Sequence, residues 1–338
     1  MAPRDVTVMG AGVMGLTVAL ACLERGARVL VIDPARPGAG ASGGLVGALA
    51  PHVPEAWNDK KAFQLQALLM APAYWQRVAA IAGIDPGYAR LGRLQPAGDP
   101  TLAQARAVNA ATFWQGQAVW LVEAAGAGSW QPVPPGSAMI RDTLTARIAP
   151  RRAIAALAAA VEALGGRIAQ DGAAQGAVIW ATGHAGLRAL LPPDAPATLG
   201  GEKGQAALLA HDARDQPQLF VAGIHIVPQA DGTTAIGSTT ERHWTDPAAT
   251  DAALDALIAR ARALVPALAQ APVLTRWAGI RPRWTTRGPL IGAWPERPGH
   301  YIANGGYKIG FAIAPLAAQM LADLVLTGQD DLPAAFRP

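Results

Sequence analysis

The pattern of apolar and polar residues is clearest over the first 33 residues. An apolar run at residues 6–9 predicts a buried strand, and a glycine-rich turn leads from it into an apolar helix that continues to about residue 25. Gly26 is placed to end this helix, and the apolar run at residues 28–32 predicts a second strand that ends at Asp33. A strand, a helix and a strand in this order predict a parallel sheet.

The pattern beyond residue 33 is mixed. In chain order it predicts a loop rich in Gly, Ala and Ser at 34–47, a long amphipathic helix at 60–82, antiparallel strands between 88 and 142, a helix at 151–164, a strand at 177–181, antiparallel strands at 206–210, 219–227 and 234–238, a helix from 246 to about 264, a strand at 300–303 and a helix from about 315 to 326. Segments typical of a parallel sheet therefore lie at the start, in the middle and at the end of the chain.

This layout predicts a mixed α/β (α+β) fold, in which a discontinuous Rossmann-type nucleotide-binding domain is interleaved with an antiparallel-sheet domain. Residues 1–50, 143–200 and 279–338 are assigned to the nucleotide-binding domain, and residues 51–142 and 201–278 to a substrate-binding domain. An NAD dehydrogenase would continue directly with further strand and helix units after residue 33. The layout therefore favours FAD as the dinucleotide.

The turn after the first strand has the spacing of a dinucleotide-binding motif, with Gly10, Gly12 and Gly15. In this motif the first glycine permits the tight turn, the second lets the backbone approach a pyrophosphate, and the third lets helix and strand pack closely. The phosphates would then face the amide groups at the helix N-terminus. Asp33, at the tip of the second strand, is placed to bind the ribose hydroxyls.

Composition excludes several classes of protein. The chain has 338 residues, of which 51% are hydrophobic and 15% charged, so it is too apolar to be disordered. Its net charge is only +4, and no cluster of cations predicts a nucleic-acid surface. A single cysteine cannot form an internal disulfide, and no Cys and His cluster predicts a metal site. Since we find neither a secretion signal nor an apolar run of membrane-spanning length, we expect a cytoplasmic protein.

Two further segments carry candidate chemistry. The loop at 34–45 is rich in glycine and would be able to close over a pyrophosphate or a flat ring, although an ordinary flexible loop is the alternative. Arg281, held between Gly279 and Pro282, suits bidentate binding of a carboxylate, and its alternative is a structural arginine in an interdomain ion pair. The glycine-rich turn at 305–310 precedes the last helix, whose N-terminus would face charge on an adjacent cofactor.

The order of these motifs resembles the D-amino-acid oxidase superfamily of flavoproteins, above all bacterial glycine oxidase and its D-amino-acid oxidase relatives. The resemblance covers nearly the whole chain. It rests on GAGVMG, Asp33, the Gly and Ser loop, Ala181-Thr182-Gly183, WAGIRP, PLIG and GGYKIGF. Many dinucleotide-binding proteins share the first motif, whereas WAGIRP followed by PLIG and a glycine-rich turn is far more specific.

The resemblance implies oxidative deamination of a small amino acid, either a D-amino acid or glycine. The Cα hydrogen of the neutral amine would leave as hydride to the flavin N5, the imine would hydrolyse to a keto acid and ammonia, and O₂ would reoxidise the flavin to give hydrogen peroxide. The protein would mainly orient Cα and stabilise the reduced ring. FAD would be noncovalent, because Cys22 lies in the first helix and faces its packing.

The resemblance also implies the site residues. The catalytic candidates are Arg281, which matches the family's carboxylate-binding arginine, and His225, Lys308 and Tyr307. The FAD-binding candidates are Gly10, Gly12, Val13, Met14, Gly15, Asp33, Pro34, Ser42, Gly43, Gly44, Leu45, Ala181, Thr182, Gly183, Gly305, Gly306, Lys308, Ile309 and Gly310. Four tryptophans are candidates for pocket walls, although such residues are more often core: Trp57, Trp244, Trp277 and Trp284.

Three positions depart from the family pattern. His225 stands where glycine oxidase has a carboxylate-binding tyrosine, Lys308 where it has an arginine, and Gly306 where many members have histidine. These changes weaken an assignment to glycine itself. Tyr307 suits the pocket and the packing equally.

His225 has two interpretations. A continuous strand over residues 219–227 would place it on the face of Leu219 and Val221, so a core histidine and a ligand-facing histidine both stay open. If it faces the ligand, its charge would vary near neutral pH.

Two other functions stay open at this point. One is a dehydrogenase of the same fold, acting on an amino acid or a sarcosine-like secondary amine and passing electrons to an acceptor other than oxygen. The other is a flavin-binding module with a degenerate pocket and no activity. The expected partners are a small amine substrate with a carboxylate and O₂, and homo-oligomerisation stays open.

Overall fold

The structure, a computed structural model, describes residues 5–126, 128–132, 138–191, 194–195, 200–286 and 288–338. The strands are β1 (Val6–Met9), β2 (Val29–Ile32), β3 (Ala48–Leu49), β4 (Arg93–Pro96), β5 (Trp120–Ala124), β6 (Ala138–Asp142), β7 (Ala146–Arg147), β8 (Arg167–Ala169), β9 (Ala177–Trp180), β10 (Gly200–Leu209), β11 (Gln218–Val221), β12 (Ile224–Pro228), β13 (Thr234–Gly237), β14 (Val273–Arg283), β15 (Leu290–Ala293) and β16 (His300–Asn304). The helices are α1 (Val13–Glu24), α2 (Asp59–Ala82), α3 (Pro100–Trp114), α4 (Pro150–Ala163), α5 (Gly183–Ala189), α6 (Ala252–Leu264) and α7 (Gly310–Thr327).

Six strands from the start, middle and end of the chain form one sheet in the order β15-β16-β9-β1-β2-β8. β1 pairs in parallel with both β2 and β9, and β16 pairs in parallel with β9. Only β15 runs antiparallel to its neighbour. The predicted parallel strand, helix and strand unit is therefore confirmed, and the loops that follow β1, β9 and β16 meet at one edge of the sheet.

The second sheet has eight strands in the order β14-β10-β13-β12-β11-β4-β6-β5, and most of its neighbours are antiparallel. Apolar residues of α6 pack on one face of this sheet, together with alternate residues of β10, β11, β12 and β13. The opposite face carries a smaller apolar cluster that includes Leu45 and Trp277. The loop that follows β2 therefore lies against the second sheet.

This combination of a parallel and an antiparallel sheet confirms the predicted mixed α/β fold class. The division into two discontinuous domains stays a prediction. α2 lies in the segment that the sequence assigns to the substrate-binding domain, and it packs on α4 and α7 beside the six-stranded sheet.

Helices account for three of the differences from the prediction. Residues 88–142 contain the helix α3 between their strands, with Asp99 as its N-cap and Pro100 in its first turn. The sixth helix begins at Ala252 rather than at residue 246, because the Asp251 carboxylate accepts a hydrogen bond from the Ala253 amide. The last helix begins at Gly310, and Pro315 lies inside it rather than at its start.

α7 is the one helix in the described part of the chain that is long and apolar enough to cross a membrane by length and composition. Buried core helices of globular proteins also meet this criterion. α7 packs along α1 and α2, and residues on several of its turns, among them Ala314 and Leu321, are buried.

A buried ion pair joins two strands of the antiparallel sheet. Arg93 Nε donates to Asp142 Oδ2 at 2.8 Å, and the two side chains are 6% and 0% exposed. The other oxygen, Asp142 Oδ1, accepts from the Thr145 amide at 2.8 Å. Removing one charge of such a pair leaves the other buried without compensation, which is strongly destabilising.

We therefore expect Asp142→Asn to lower the free energy of unfolding by about 3–5 kcal/mol. Asp5→Asn is the matched control, because Asp5 pairs with Arg28 at the surface and exposed pairs contribute little. Denaturant unfolding of both variants measures the difference. Equal stability of the two variants would contradict the importance of the buried pair.

Candidate dinucleotide and substrate site

The turn between β1 and α1 accepts only glycine at two positions. Gly10 has φ of +111°, and a Cβ there would lie 2.4 Å from the carbonyl oxygen of Ala181. A Cβ on Gly15 would lie 2.0 Å from the carbonyl oxygen of Gly10. The missing side chains let α1 start directly at the edge of the sheet, with the amide groups of its first turn directed away from the strand.

The loop after β2 is fixed against this turn. Ser42 Oγ accepts a hydrogen bond from the Val13 amide at 3.0 Å, and the Gly38 amide donates to the Ala11 carbonyl at 2.9 Å. One carboxylate oxygen of Asp33 accepts from the Ala11 amide at 2.7 Å. These bonds hold the predicted Gly and Ser loop beside the start of α1.

A second helix begins beside the first. A Cβ on Gly306 would lie 3.8 Å from Met14 Sδ, and one on Gly310 would lie 3.7 Å from Val13 Cγ1. At the far ends, Arg25 Nε forms an ion pair with Asp323 at 2.7 Å. α1 and α7 therefore run in the same direction, and the positive ends of both helix dipoles face the same edge of the sheet.

The structure brings the predicted FAD-binding residues together at this edge. They fall in segments 10–15, 33–34, 42–45, 181–183 and 305–310, which follow β1, β2, β9 and β16 or contact those loops. Asn304 Nδ2 donates to the Gly183 carbonyl at 3.0 Å and so connects two of the segments. A glycine cradle and two helix N-termini suit a negatively charged dinucleotide, so this site has the fit that FAD requires.

A cluster of charged side chains lies where β10 and β14 pair and the turn before α7 contacts them. Glu202 stands opposite Arg281 in the register of these strands, and Glu202 Oε1 accepts from Arg281 Nη1 at 3.0 Å. The same oxygen accepts from the Tyr307 hydroxyl at 2.6 Å and lies 3.7 Å from Lys308 Nζ. We call Glu202, Arg281, Tyr307 and Lys308 the Glu202 cluster.

Arg281 is held from several sides. Its Nη2 donates to Ser238 Oγ and to the Thr239 carbonyl, both at 2.6 Å. A Cβ at Gly204 would lie 1.9 Å from Nη2, so the glycine makes room for the guanidinium. Burial lowers the pKa of Arg281, and Glu202 opposes that shift. The ion pair joins neighbouring strands of one sheet, and by the predicted domain bounds it connects residues 201–278 with residues 279–338, so the alternative of a structural interdomain ion pair stays open.

The sequence did not single out Glu202, although its carboxylate contacts three of the catalytic candidates. Glu202 is buried, and it follows two glycines at the start of β10. Its partner depends on the pairing register of two strands that are separated by more than 60 residues. Burial, together with the hydrogen bond that it donates to Glu202, raises the pKa of the Tyr307 hydroxyl to about 12.

The expected position of His225 on its strand was wrong. The chain reverses between Val221 and Ile224 through a two-residue turn with positive φ at Ala222 and Gly223, which is typical of a tight hairpin. His225 therefore pairs with Phe220 and lies on the opposite face from Val221.

The expected titration of His225 near neutral pH was also wrong. Its ring lies 4.6 Å from that of Phe220, and its Nδ1 is buried with no hydrogen-bond partner in the described residues. Burial, with the positive charges of Arg93 and Lys308 acting in the same direction, lowers the pKa of His225 to about 3. The ring is therefore neutral at physiological pH.

Of the four candidate tryptophans, Trp277 lies nearest to the nucleotide loop. A Cβ on Gly44 would lie 3.3 Å from its ring, and Gly279 provides the space beside it. Trp57 instead stacks on Phe113 at 4.6 Å, Trp244 meets His184, and Trp284 packs in a small cluster near β15. Trp277 is the candidate that faces the loop at 42–45.

Two observations concern other cofactor chemistry. Cys22 is fully buried in α1, and burial raises the pKa of its thiol to about 12, so the thiol is protonated and enclosed by packing. Among the described residues, no group of three or more His, Cys, Asp or Glu side chains could hold a metal ion. The described site thus contains the elements of noncovalent dinucleotide binding.

The fold and this edge define a Rossmann-type dinucleotide-binding protein. The model of the family described as FAD dependent oxidoreductase, DAO, matches residues 5–324. The chain therefore belongs to this family of FAD-dependent enzymes, and the cofactor expected from the sequence is confirmed as FAD.

Individual relatives agree with this family. The chain is 26% identical to a glycine oxidase of Geobacillus kaustophilus, over 95% of this chain and 92% of that protein. The crystal structure of glycine oxidase from the same organism has the same fold, with a TM-score of 0.84 at 24% identity, and the match covers 99% of this chain and 98% of that one.

Other relatives match over a smaller part of their own length. A bifunctional protein ThiO/ThiG of Trichormus variabilis is 27% identical over 97% of this chain and 53% of its own length. A glycine oxidase of Pseudomonas aeruginosa is 36% identical over 40% of this chain and 38% of its own length. The match thus spans about half of these two relatives or less.

We expect Gly10→Ala to abolish FAD binding, because the new Cβ would collide with the Ala181 carbonyl in a backbone conformation that alanine rarely adopts. The FAD content of the purified protein, read from its absorbance spectrum, is the measurement. Gly40→Ala is the matched control: a Cβ there meets no atom within 4 Å, and Gly40 lies in the adjacent loop. An unchanged FAD content in Gly10→Ala would contradict a role of the turn at Gly10 in binding FAD.

The neutral state of His225 predicts a pH dependence of stability. The unfolded chain binds a proton on this ring below the ordinary value of 6.5, whereas the folded protein binds it only near 3. The stabilisation is complete above pH 6.5 and is lost as the pH falls toward 3. We expect the wild type to lose more unfolding free energy than His225→Phe over this range, by up to about 1.4 kcal/mol for each pH unit.

Chemical denaturation at several pH values between 7 and 4 tests this difference. Carboxylates titrate in both proteins and cancel in the comparison. His243→Phe is the control, because His243 is exposed. Parallel pH profiles of the wild type and His225→Phe would contradict a neutral, partly buried imidazole.

Proposed function

We propose that this enzyme oxidises a small amino acid with a free carboxylate, a D-amino acid or glycine, with oxygen as the electron acceptor. The observation that carries the proposal is the Glu202 cluster, which brings Arg281 of β14 together with Lys308 of the turn that leads into α7, beside the FAD site. A cation pair next to the cofactor suits an anionic substrate. The resemblance to glycine oxidases supports the same substrate class.

The chain's own residues would bind and orient this substrate. Bound FAD supplies the acceptor for the hydride that leaves the carbon next to nitrogen. The cations of the Glu202 cluster would hold the carboxylate and so fix the position of that carbon. Trp277 and Leu45 line the apolar face beside the loop and would exclude water from it. The N-termini of α1 and α7 would stabilise negative charge on the cofactor side.

His225 would contribute a neutral polar surface rather than a charge. Its low pKa keeps the imidazole uncharged, and its Nδ1 has no protein partner among the described residues. Since glycine oxidase has a tyrosine at the matching position, the site keeps a hydrogen-bonding group there. A neutral ring there would not add to the positive charge of Lys308.

Anaerobic titration of the holoenzyme tests the proposal. We expect glycine, D-alanine or another small D-amino acid to bleach the flavin absorbance, and we expect air to restore it with formation of hydrogen peroxide. Methylamine is the matched control, because it lacks the carboxylate. Sarcosine and L-alanine extend the panel to a secondary amine and to the opposite chirality.

The outcomes separate the functions. Recovery only with an artificial acceptor would replace the oxidase with a dehydrogenase of the same fold. Bleaching by methylamine as readily as by amino acids would contradict recognition of a carboxylate. A flavin that no amine reduces would contradict the enzyme's proposed reaction and favour a binding module.

A further inference from the structure

The segment that follows β13 contacts both cations of the candidate site. Arg281 Nη2 donates to Ser238 Oγ and to the Thr239 carbonyl, both at 2.6 Å. Lys308 Nζ donates to the hydroxyl of the next residue, Thr240, at 3.4 Å. Three consecutive residues thus touch the side chains to which the proposed function assigns the substrate carboxylate. The position of this segment therefore decides where the guanidinium of Arg281 lies.

Arg281 is able to bind a substrate while it keeps these contacts. A guanidinium has five N–H donors. Among the described residues, Glu202, Ser238 and Thr239 take three of these donors, so two remain for a substrate carboxylate. The protein contacts fix the plane in which the remaining donors lie. A guanidinium that is oriented before the substrate arrives loses less freedom on binding.

Thr239 is itself fixed to β10 and to the end of its own segment. Its amide donates to the Gln205 carbonyl at 3.1 Å, and its hydroxyl oxygen accepts from the Gln205 amide at 2.8 Å. The same hydroxyl donates to the carboxylate of Glu241. One hydroxyl group therefore joins the segment to β10, while the carbonyl of the same residue meets Arg281.

The side chain of Gln205 holds both ends of the loop that leaves this segment. Gln205 is fully buried, and its Nε2 donates to Glu241 Oε1 at 3.0 Å and to Asp251 Oδ1 at 2.8 Å. Its Oε1 accepts from the Asp251 amide at 2.9 Å. The Nζ of Lys203, also buried, lies 3.5 Å from a Glu241 oxygen and 3.8 Å from an Asp251 oxygen. The two ends of loop 242–250 are therefore held together beside β10.

We propose that Thr239 and Gln205 are positioning residues for the arginine that binds the substrate. The Thr239 carbonyl orients Arg281, and the Thr239 hydroxyl keeps that carbonyl in place. Gln205 holds Glu241 and so the far end of the segment. This inference rests on the proposed function, because it takes the substrate to have a carboxylate that Arg281 binds. Part of the affinity for that carboxylate then depends on residues that act through Arg281.

Acetate binding to the oxidised holoenzyme, measured by titration calorimetry, tests the role of Thr239 without turnover. Thr239→Val keeps the carbonyl that Arg281 contacts and removes only the hydroxyl, so a loss of affinity reports on position. We expect the Kd for acetate to rise at least about fivefold in Thr239→Val. Thr239→Ser keeps the hydroxyl, so we expect it to stay within about twofold of the wild type.

Thr233→Val is the matched control for a lost hydroxyl. The Thr233 hydroxyl donates to Asp231 in the turn at the other end of β13. We expect this variant to bind acetate within about twofold of the wild type. FAD content and thermal stability verify that each variant is folded.

Gln205→Met tests the second positioning residue. This variant removes the side-chain amide and leaves the backbone of β10 able to bond to Thr239. We expect the Kd for acetate to rise about two- to fivefold, because Glu241 loses one of its donors but Thr239 keeps its hydroxyl. A folded Gln205→Met with the acetate affinity of the wild type would overturn the role of Gln205, and the Thr239 variants decide the rest if it does not fold.

A double-mutant cycle separates positioning of Arg281 from a general loss of structure. Arg281→Lys leaves no guanidinium for Thr239 to orient, so adding Thr239→Val to it should change the acetate affinity by less than about twofold. An equal loss of affinity in both backgrounds would overturn the inference. With the best amino acid of the panel, we expect Thr239→Val to raise KM by a factor similar to that for acetate and to leave kcat within about threefold.

The single variants decide the matter even if Arg281→Lys does not fold. Four results would overturn the inference: wild-type holoenzyme that binds no acetate, Thr239→Val that binds it as the wild type does, Thr239→Ser that loses as much affinity as Thr239→Val, or an equal loss in Thr233→Val. Each differs from failure of the proposed function, which is a flavin that no amine reduces, because acetate binding needs no turnover.

Discussion

Close contact between α1 and β1 is the constraint on which the site depends. A Cβ on Gly15 would meet the Gly10 carbonyl at 2.0 Å, so any side chain there would push the helix away from the strand. The contact brings the first turn of α1 to the edge where β1, β9 and β16 end. The Ser42 hydroxyl and the Asp33 carboxylate accept hydrogen bonds from backbone amides of this turn, and these bonds hold the loop that follows β2 in place. The dinucleotide site is thus a consequence of backbone packing.

The same contact connects the two sheets. The loop held by Ser42 carries Leu45, which packs with Trp277 of β14 on the face of the antiparallel sheet opposite to α6. On that strand Arg281 lies two residues beyond Gly279, on the same face as Trp277, and meets Glu202. Tyr307 lies just before α7 and donates a hydrogen bond to Glu202, so it links the cluster to α7, whose N-terminus lies beside α1. The charged cluster therefore has a fixed position relative to the cofactor edge.

The sequence predicted the parts of this site that depend on local structure. The spacing of Gly10, Gly12 and Gly15 encodes a backbone turn whose geometry is set within six residues, and the structure brings the segments predicted to bind FAD to one edge. Glu202 was missed because its contact with Arg281 depends on the pairing of two strands that are distant in the sequence. A shift of one residue in this register would move Glu202 to the other face of the sheet. The face of His225 was wrong for a related reason: the turn at Ala222 and Gly223 reverses the chain inside what looks like one apolar strand.

The predicted helix boundaries were wrong where a proline or a capping residue is compatible with more than one helix start. Pro315 suits a helix start, but the chain already turns helical at Gly310 because the glycines before it bring the backbone against α1. Asp246-Pro247 also suits a start, yet the carboxylate that caps the helix belongs to Asp251, which Gln205 of β10 holds in place. Tertiary contacts therefore selected among local signals of similar strength.

Burial of the ion pair between Glu202 and Arg281 has a consequence for how such a site can change. A guanidinium that is fixed by Ser238, Thr239 and Glu202 cannot adapt to a ligand without losing short hydrogen bonds, whereas the exposed ammonium of Lys308 moves on a flexible stem. Replacing either member of the buried pair alone also exposes the other to a large desolvation cost. Arg281 and Glu202 are therefore constrained to vary together.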